Sequence, residues 1–220
     1  MSGDADPPRE LLVATRNAGK AAELRALLAR LAARIVDLRQ AGVSYHPDED
    51  AIEDADTFEA NALAKARYFC ARSGGRPVVA DDSGLCVAAL GGAPGVRSRR
   101  YSGAAGTDAD VSLPNSARLL RELANVSDRR AEFVCAVAYI DETREVVCTG
   151  KTSGSILLEP RGSAGFGYDP LFWSDQLGRG FGEATDAEKA RVSHRARAIG
   201  ELLLRLRASD DAPTADDLGR

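Results

Sequence analysis

The sequence predicts an α/β fold: a mixed β-sheet core flanked by helices. Three observations carry that prediction. Residues 11–38 open with a β-α-β pattern, and Ala131–Ile140 is apolar on both alternate sets, as a central strand covered on both faces must be. An amphipathic helix closes the pattern from about Ser193. The 220 residues, 44% hydrophobic and 28% charged, suffice for a substantial folded core.

The elements follow in order. Leu11–Thr15 is a short apolar strand ending in the polar turn Arg16-Asn17-Ala18-Gly19-Lys20. Leu24, Leu27, Leu28 and Leu31 then recur at helical spacing, and Arg34–Leu38 reads as a second strand. Residues 39–55 are acidic and irregular. Asp56-Thr57-Phe58-Glu59 reads as a helix start with Asp56 as cap, and Phe58, Ala62, Ala66 and Cys70 give a buried face. Ser73-Gly74-Gly75 ends that helix, and Pro77–Ala80 begins a strand running into Asp81-Asp82-Ser83-Gly84. Gly91–Gly95 is a loop, and Leu119, Leu120 and Leu123 mark a short helix. Glu145–Thr149 pairs with the central strand as a hairpin, a further strand lies near Ile156–Leu158, and the last helix buries Ala198, Ile199, Leu202, Leu203 and Leu206.

One domain is expected over 11–207, preceded by a disordered segment at 1–10 and followed by an acidic flexible tail at 208–220. Lys+Arg 29 against Asp+Glu 33 gives a net charge of −4, which argues against binding along a nucleic-acid backbone. No apolar run approaches the roughly 20 residues that cross a bilayer, and the polar N-terminus is no secretory signal. Cys70, Cys86, Cys135 and Cys148 lie far apart with no C-x-x-C pair, as expected of free thiols in a cytoplasmic protein without disulfides or structural zinc.

Four constellations can carry chemistry. The turn Thr15–Lys20 precedes a helix, whose first amides and partial positive charge suit phosphate oxygens, with Thr15, Asn17, Arg16 and Lys20 adding donors and cations. It is not a Walker A loop, because Ala14 and Ala21 stand where that motif needs Gly and Ser or Thr. An ordinary capped turn accounts for it equally. Asp81-Asp82-Ser83-Gly84 crowds two carboxylates at a strand end; their hard oxygens suit Mg²⁺, or they cap a turn. Alternation along a strand lets one acid face a cleft while the other anchors the turn. Gly165-Phe166-Gly167-Tyr168-Asp169-Pro170 offers a stacking face and an acceptor for a flat ligand, or a tight turn with core aromatics. Lys189 with Ser193-His194-Arg195 is either a polar recognition cluster or a capped helix start with solvated cations.

Taken together and in order, these segments resemble the inosine/xanthosine triphosphate pyrophosphatases. The resemblance rests on Val13–Lys20, Thr57-Phe58 with Asn61-Ala62 and Lys65-Ala66, and Ala80–Leu85. It continues through Leu90–Gly95, Arg100–Gly103, Gly165–Phe172, Glu188-Lys189 and Ser193-His194-Arg195. It implies an elongated two-lobed α/β fold with an active cleft between the lobes, a cytoplasmic homodimer, and no nucleic-acid or membrane partner. It also implies Mg²⁺-dependent hydrolysis of ITP, dITP and XTP to the monophosphate and pyrophosphate. Carried over by residue, Thr15, Arg16, Asn17, Ala18, Gly19 and Lys20 hold the triphosphate. Asp82 binds Mg²⁺ and helps activate water, Ser83 touches substrate, and Glu53, or alternatively Asp54, is the second metal ligand. Phe166, Gly167, Tyr168 and Asp169 line the base pocket, and Lys189, His194 and Arg195 complete recognition of a 6-oxo purine. Three positions depart from the family pattern: Arg16 where Gly is usual, Ala60 where an acid is usual, and Thr152 where an aromatic is common. The runner-up function is a non-catalytic purine nucleotide sensor with the same pocket.

Overall fold

The computed structural model describes residues 10–31 and 33–210. β1 (Glu10–Val13) lies between β2 (Arg34–Asp37) and β3 (Val78–Val87) and runs parallel to both. From β3 the sheet continues antiparallel through β4 (Arg130–Ile140), β5 (Glu145–Ile156), β6 (Phe172–Ser174) and β7 (Arg179–Gly180). The order across the seven strands is β2-β1-β3-β4-β5-β6-β7. The mixed α/β architecture read from the sequence is the one observed.

Strand alternation divides the core. Leu12, Val78, Ala80, Ala136 and Ala138 face one side, where α2 (Phe58–Arg72) packs Phe58, Ala62, Ala66 and Phe69 against them. Leu11, Val13, Val79, Cys135 and Val137 face the other side, covered by Leu24 and Leu28 of α1 (Ala18–Leu28) and Ala198, Ile199 and Leu202 of α5 (His194–Asp210). The far halves of β3 and β4 enter a third core, where Leu85, Phe133, Phe172 and Phe181 meet Leu119 of α3 (Asp108–Glu122) and Val192 of α4 (Asp186–Val192). Three groups of buried side chains are thus strung on the same long strands.

Several local readings need correction. Thr57, not Asp56, caps α2: its backbone is extended and its Oγ1 accepts from Ala60 N at 3.2 Å. Phe69 rather than Cys70 completes the buried face. Asp81–Gly84 do not end a strand; β3 runs on to Val87 because β4 pairs with it over its whole length. The hairpin strand and the strand expected near Ile156–Leu158 are one element, β5, and Leu158 lies outside it and exposed. α3 spans 15 residues despite Pro114 in its interior, since Thr107 and Asp110 close a capping box at its start. Leu31 lies beyond α1. Glu10, placed in the leader, is the first residue of β1, and residues 208–210, placed in the tail, continue α5; 1–9 and 211–220 lie outside the described residues. All four cysteines are free thiols.

Candidate active site

The parity of β3 settles where the acid pair points. Asp81 shares the face of Val79 and turns under α5; Asp82 shares the face of Ala80 and turns towards α2. Asp81 is fully buried and takes Arg195 Nε at 3.1 Å and Nη2 at 2.8 Å, with Lys20 Nζ 3.5 Å away. Burial alone would raise this carboxyl, but Lys20, Arg195 and Lys65 outweigh it and hold it well below the usual carboxylate range. Asp82 accepts Asn61 Nδ2 at 2.9 Å and Ser83 N at 2.9 Å. Burial, with Glu53 adding to it, pushes the Asp82 carboxyl above its ordinary value despite Lys20, Lys65 and Asn61.

The candidate residues carried over from the resemblance, Asp54 apart, line one cavity of about 950 Å³, within the range of small-molecule sites. These are Thr15–Lys20, Glu53, Asp82, Ser83, Phe166–Asp169, Lys189, His194 and Arg195. Asp54, the alternative to Glu53, is exposed and does not line it. The turn entering α1 is held by Asn17, whose Oδ1 accepts from Lys20 N at 2.7 Å and whose Nδ2 donates to Asp108 Oδ2 at 2.6 Å. Opposite, the Lys65 ammonium from α2 pairs with Glu53 and donates to Asp81 O at 2.9 Å. Lys20 stays charged: burial works against its ammonium, but Asp81, Glu53 and Asp82 outweigh burial.

The second half of the cavity is built on Gly165–Asp169. Asp169 Oδ2 accepts from Phe166 N at 2.8 Å and closes the loop; a Cβ on Gly165, whose φ is +74°, would collide with that carboxylate. The Phe166 ring lies against Gly19, where an added Cβ would stand 2.6 Å from Phe166 Cδ1. Lys189 Nζ sits 4.9 Å over the same ring and donates to Asp169 at 2.6 Å and Glu23 at 2.8 Å. Tyr168 donates its hydroxyl to Ser98 O at 2.9 Å, so it braces the wall.

His194 and Arg195 are buried, not solvated, behind Ser193, whose Oγ accepts from Ala196 N at 3.1 Å. Burial, then Arg195 and Lys189, push the His194 imidazole well below its ordinary pKa, so it is neutral; it stacks on Phe133 with centroids 4.8 Å apart. Its Nδ1 is buried without a protein partner. The Arg195 guanidinium is committed to Asp81, to Glu23 and to Ser83 Oγ at 2.9 Å. Among the departures, Thr152 donates to Val192 O at 2.7 Å and ties β5 to the residues just before His194. Ala60 is exposed, and the neighbouring Glu59 accepts from Thr149 Oγ1 at 2.9 Å instead of reaching the cavity.

The sequence reading gave no site role to Glu23 or to Lys65, though Lys65 stood among the residues that carry the resemblance, and did not find Asp81 as a brace. Glu23 gathers Lys189 and Arg195, and its carboxyl is pulled below its ordinary value by those two cations against burial. A signal for each existed in helical spacing. Glu23 is three residues after Lys20 on α1, and Lys65 is four after Asn61 on α2, so each shares a face with a residue already singled out.

The hard-oxygen pair Asp82 and Glu53 fits a divalent cation: both line the cavity, and each feels cations that balance paired acids. No group of three or more His, Cys, Asp or Glu side chains gathers among the described residues.

An α/β sheet whose acid pair and cationic turn meet a base-sized pocket defines a nucleotide-handling protein. The Ham1 family profile matches residues 11–204, and this chain belongs to the Ham1 family. It is 44% identical over 207 residues to a dITP/XTP pyrophosphatase of Ralstonia nicotianae, covering 93% of this chain and 100% of that one. It is 47% identical over 199 residues to a dITP/XTP pyrophosphatase of Aromatoleum aromaticum, covering 89% and 96%. The structure of a HAM1 protein from Coxiella burnetii superimposes with a TM-score of 0.76 at 36% identity, covering 91% of this chain and 99% of that one.

Proposed function

We propose that this chain hydrolyses dITP, ITP and XTP to the nucleoside monophosphate and pyrophosphate, cleansing the nucleotide pool. The observation that carries this reading is the meeting of Lys20, Lys65, Glu53 and Asp82 with the Phe166–Asp169 pocket in one cavity. In this reading the start of α1 and Lys20 take the triphosphate, with Lys65 adding a second cation. Asp82 orients water for in-line attack on the anhydride between the α- and β-phosphates and accepts its proton. Pyrophosphate leaves. Asn61 fixes the Asp82 carboxylate, and Ser83 stands beside it. Asp82 and Glu53 would hold Mg²⁺, which when bound neutralises charge on the phosphate oxygens.

The purine stacks on Phe166. Lys189 carries three N–H groups, of which Glu23 and Asp169 take two, so one remains to donate to a 6-oxo group. Neutral His194 adds a ring nitrogen that is either donor or acceptor. A 6-amino group would leave such donors unpaired, a mismatch that can discriminate by about 10⁴-fold. The Arg195 guanidinium acts chiefly as a brace, with most of its donors spent on Asp81, Glu23 and Ser83. The working form in this reading is a cytoplasmic homodimer, which light scattering tests. No helix among the described residues is long and apolar enough to cross a membrane.

The test is a product assay on dITP, ITP, XTP, ATP and GTP with Mg²⁺. Pyrophosphate from the first three and little from ATP or GTP is expected. Tight dITP binding without product would make the chain a nucleotide sensor, and orthophosphate release would make it a phosphatase.

A further inference from the structure

Arg16 stands at the mouth of the phosphate-facing turn, yet its guanidinium points away from an open role. Its Nε donates to Glu49 Oε2 at 2.9 Å and its Nη2 to Glu49 Oε1 at 2.8 Å, a two-pronged contact. Its Nη1 and Nη2 both donate to Val43 O at 3.2 Å, so four of five donor directions are used within the protein. The Glu49 side chain is only 6% exposed, and its Oε1 also accepts from His46 N at 3.1 Å, closing the box that starts the 3₁₀ turn Pro47–Ala51. That turn leads directly to Glu53, whose backbone O accepts from Arg100 Nη2 at 2.8 Å and whose carboxylate meets Lys65.

We propose that Arg16 is a positioning residue: with Glu49 it clasps segment 43–53 to the start of α1 and so sets where Glu53 stands relative to Asp82. The clasp joins the two walls that must meet around one polyphosphate. Arg16 acts through Glu53 and not on phosphate. This inference rests on the proposed hydrolysis for its kinetic arm only.

The test compares Arg16→Ala, Glu49→Ala and the double variant. In the metal-free protein, hydrogen exchange at the amides of Glu49 and Ile52, which donate to His46 O and Glu49 O, quickens in both single variants. In turnover of dITP, the Mg²⁺ concentration for half-maximal rate rises roughly tenfold in each single variant, the lower end of effects seen when a metal ligand loses its support. The double variant is no worse than either single, and KM at saturating Mg²⁺ stays within about twofold. Unchanged exchange in Arg16→Ala overturns the clasp. So does a raised KM in Arg16→Ala that Glu49→Ala does not share, which would make Arg16 a phosphate ligand. If the parent protein releases no pyrophosphate, the hydrolase reading fails while the exchange measurements still decide the clasp.

Discussion

Lys189→Met replaces a buried ammonium by an apolar chain of similar length and leaves Asp169, itself buried, without its cation. Breaking a buried ion pair from one side costs about 3–5 kcal/mol. The carboxylate has an escape, which is to take up a proton. From an ordinary carboxyl pKa near 3.9, that uptake costs at most about 4 kcal/mol at pH 7 and about 1.5 kcal/mol at pH 5. Burial already pushes the Asp169 carboxyl up, with Lys189 pulling it back, so the escape is cheaper than that ceiling. The expected loss is therefore about 3 kcal/mol at pH 7, a fall in Tm of roughly 6–12 °C for a chain of this size. The sign with pH follows from proton counting. The folded variant binds one proton more than its own unfolded chain, whereas the parent keeps the Lys189 proton in both states, so the deficit shrinks as pH falls, to about 1.5 kcal/mol or less at pH 5. Glu23 softens the effect little, because it keeps Arg195. Urea unfolding of both proteins at pH 7 and pH 5 measures the two deficits. Equal deficits at the two pH values, or a loss under about 1 kcal/mol at pH 7, would refute the argument. In the same variant the preference for ITP over ATP falls; an unchanged ratio would move purine recognition elsewhere.

Three further outcomes are expected. Asp82→Asn lowers kcat by roughly 10³-fold while dITP binding changes less than about tenfold, and near-normal turnover would remove Asp82 from the role of base. Gly19→Ala drives a methyl into the Phe166 ring and raises KM for dITP by roughly tenfold, as the loss of a base-stacking contact does; an unchanged KM would show that Phe166 does not seat the purine. Asn61→Ala strips Asp82 of a 2.9 Å donor and frees Ala55 N, which Asn61 Oδ1 holds at 2.9 Å; unfolding free energy falls by about 2 kcal/mol and kcat falls with it, as urea titration and pyrophosphate release will show.

What the sequence made legible was whatever is decided within a few residues. The β1 strand, its polar turn and the Leu24–Leu28 stripe announce themselves by period. Asp82 and Phe166 stand out because a carboxylate after an apolar strand and an aromatic between glycines are locally odd. The hidden parts were decided across the chain. Asp81 was legible as an acid but not as a brace, since its partner Arg195 is 114 positions away. Arg195 and His194 look like a solvated helix start until α5 is laid on β3 and β5. Leu119, Leu120 and Leu123 marked only a short helix, and the Thr107 cap and the buried Asn115 show why α3 reaches 15 residues across Pro114. Asn115 Nδ2 donates to Arg99 O at 2.8 Å and its Oδ1 accepts from Ser102 N at 2.7 Å, so tertiary hydrogen bonds hold a helix that local propensity would interrupt.

β3 and β4 pair without a break from Val78 with Ile140 to Val87 with Ala131, and so carry all three cores on one ribbon. There is no pivot in that ribbon for a jaw to swing on. Any widening of the gap to admit a nucleotide must be spread as a slight change of coil along ten paired positions. Entry and exit of the ligand are then governed by the elasticity of a sheet, and a stiffening substitution along either strand, far from the pocket, will slow both.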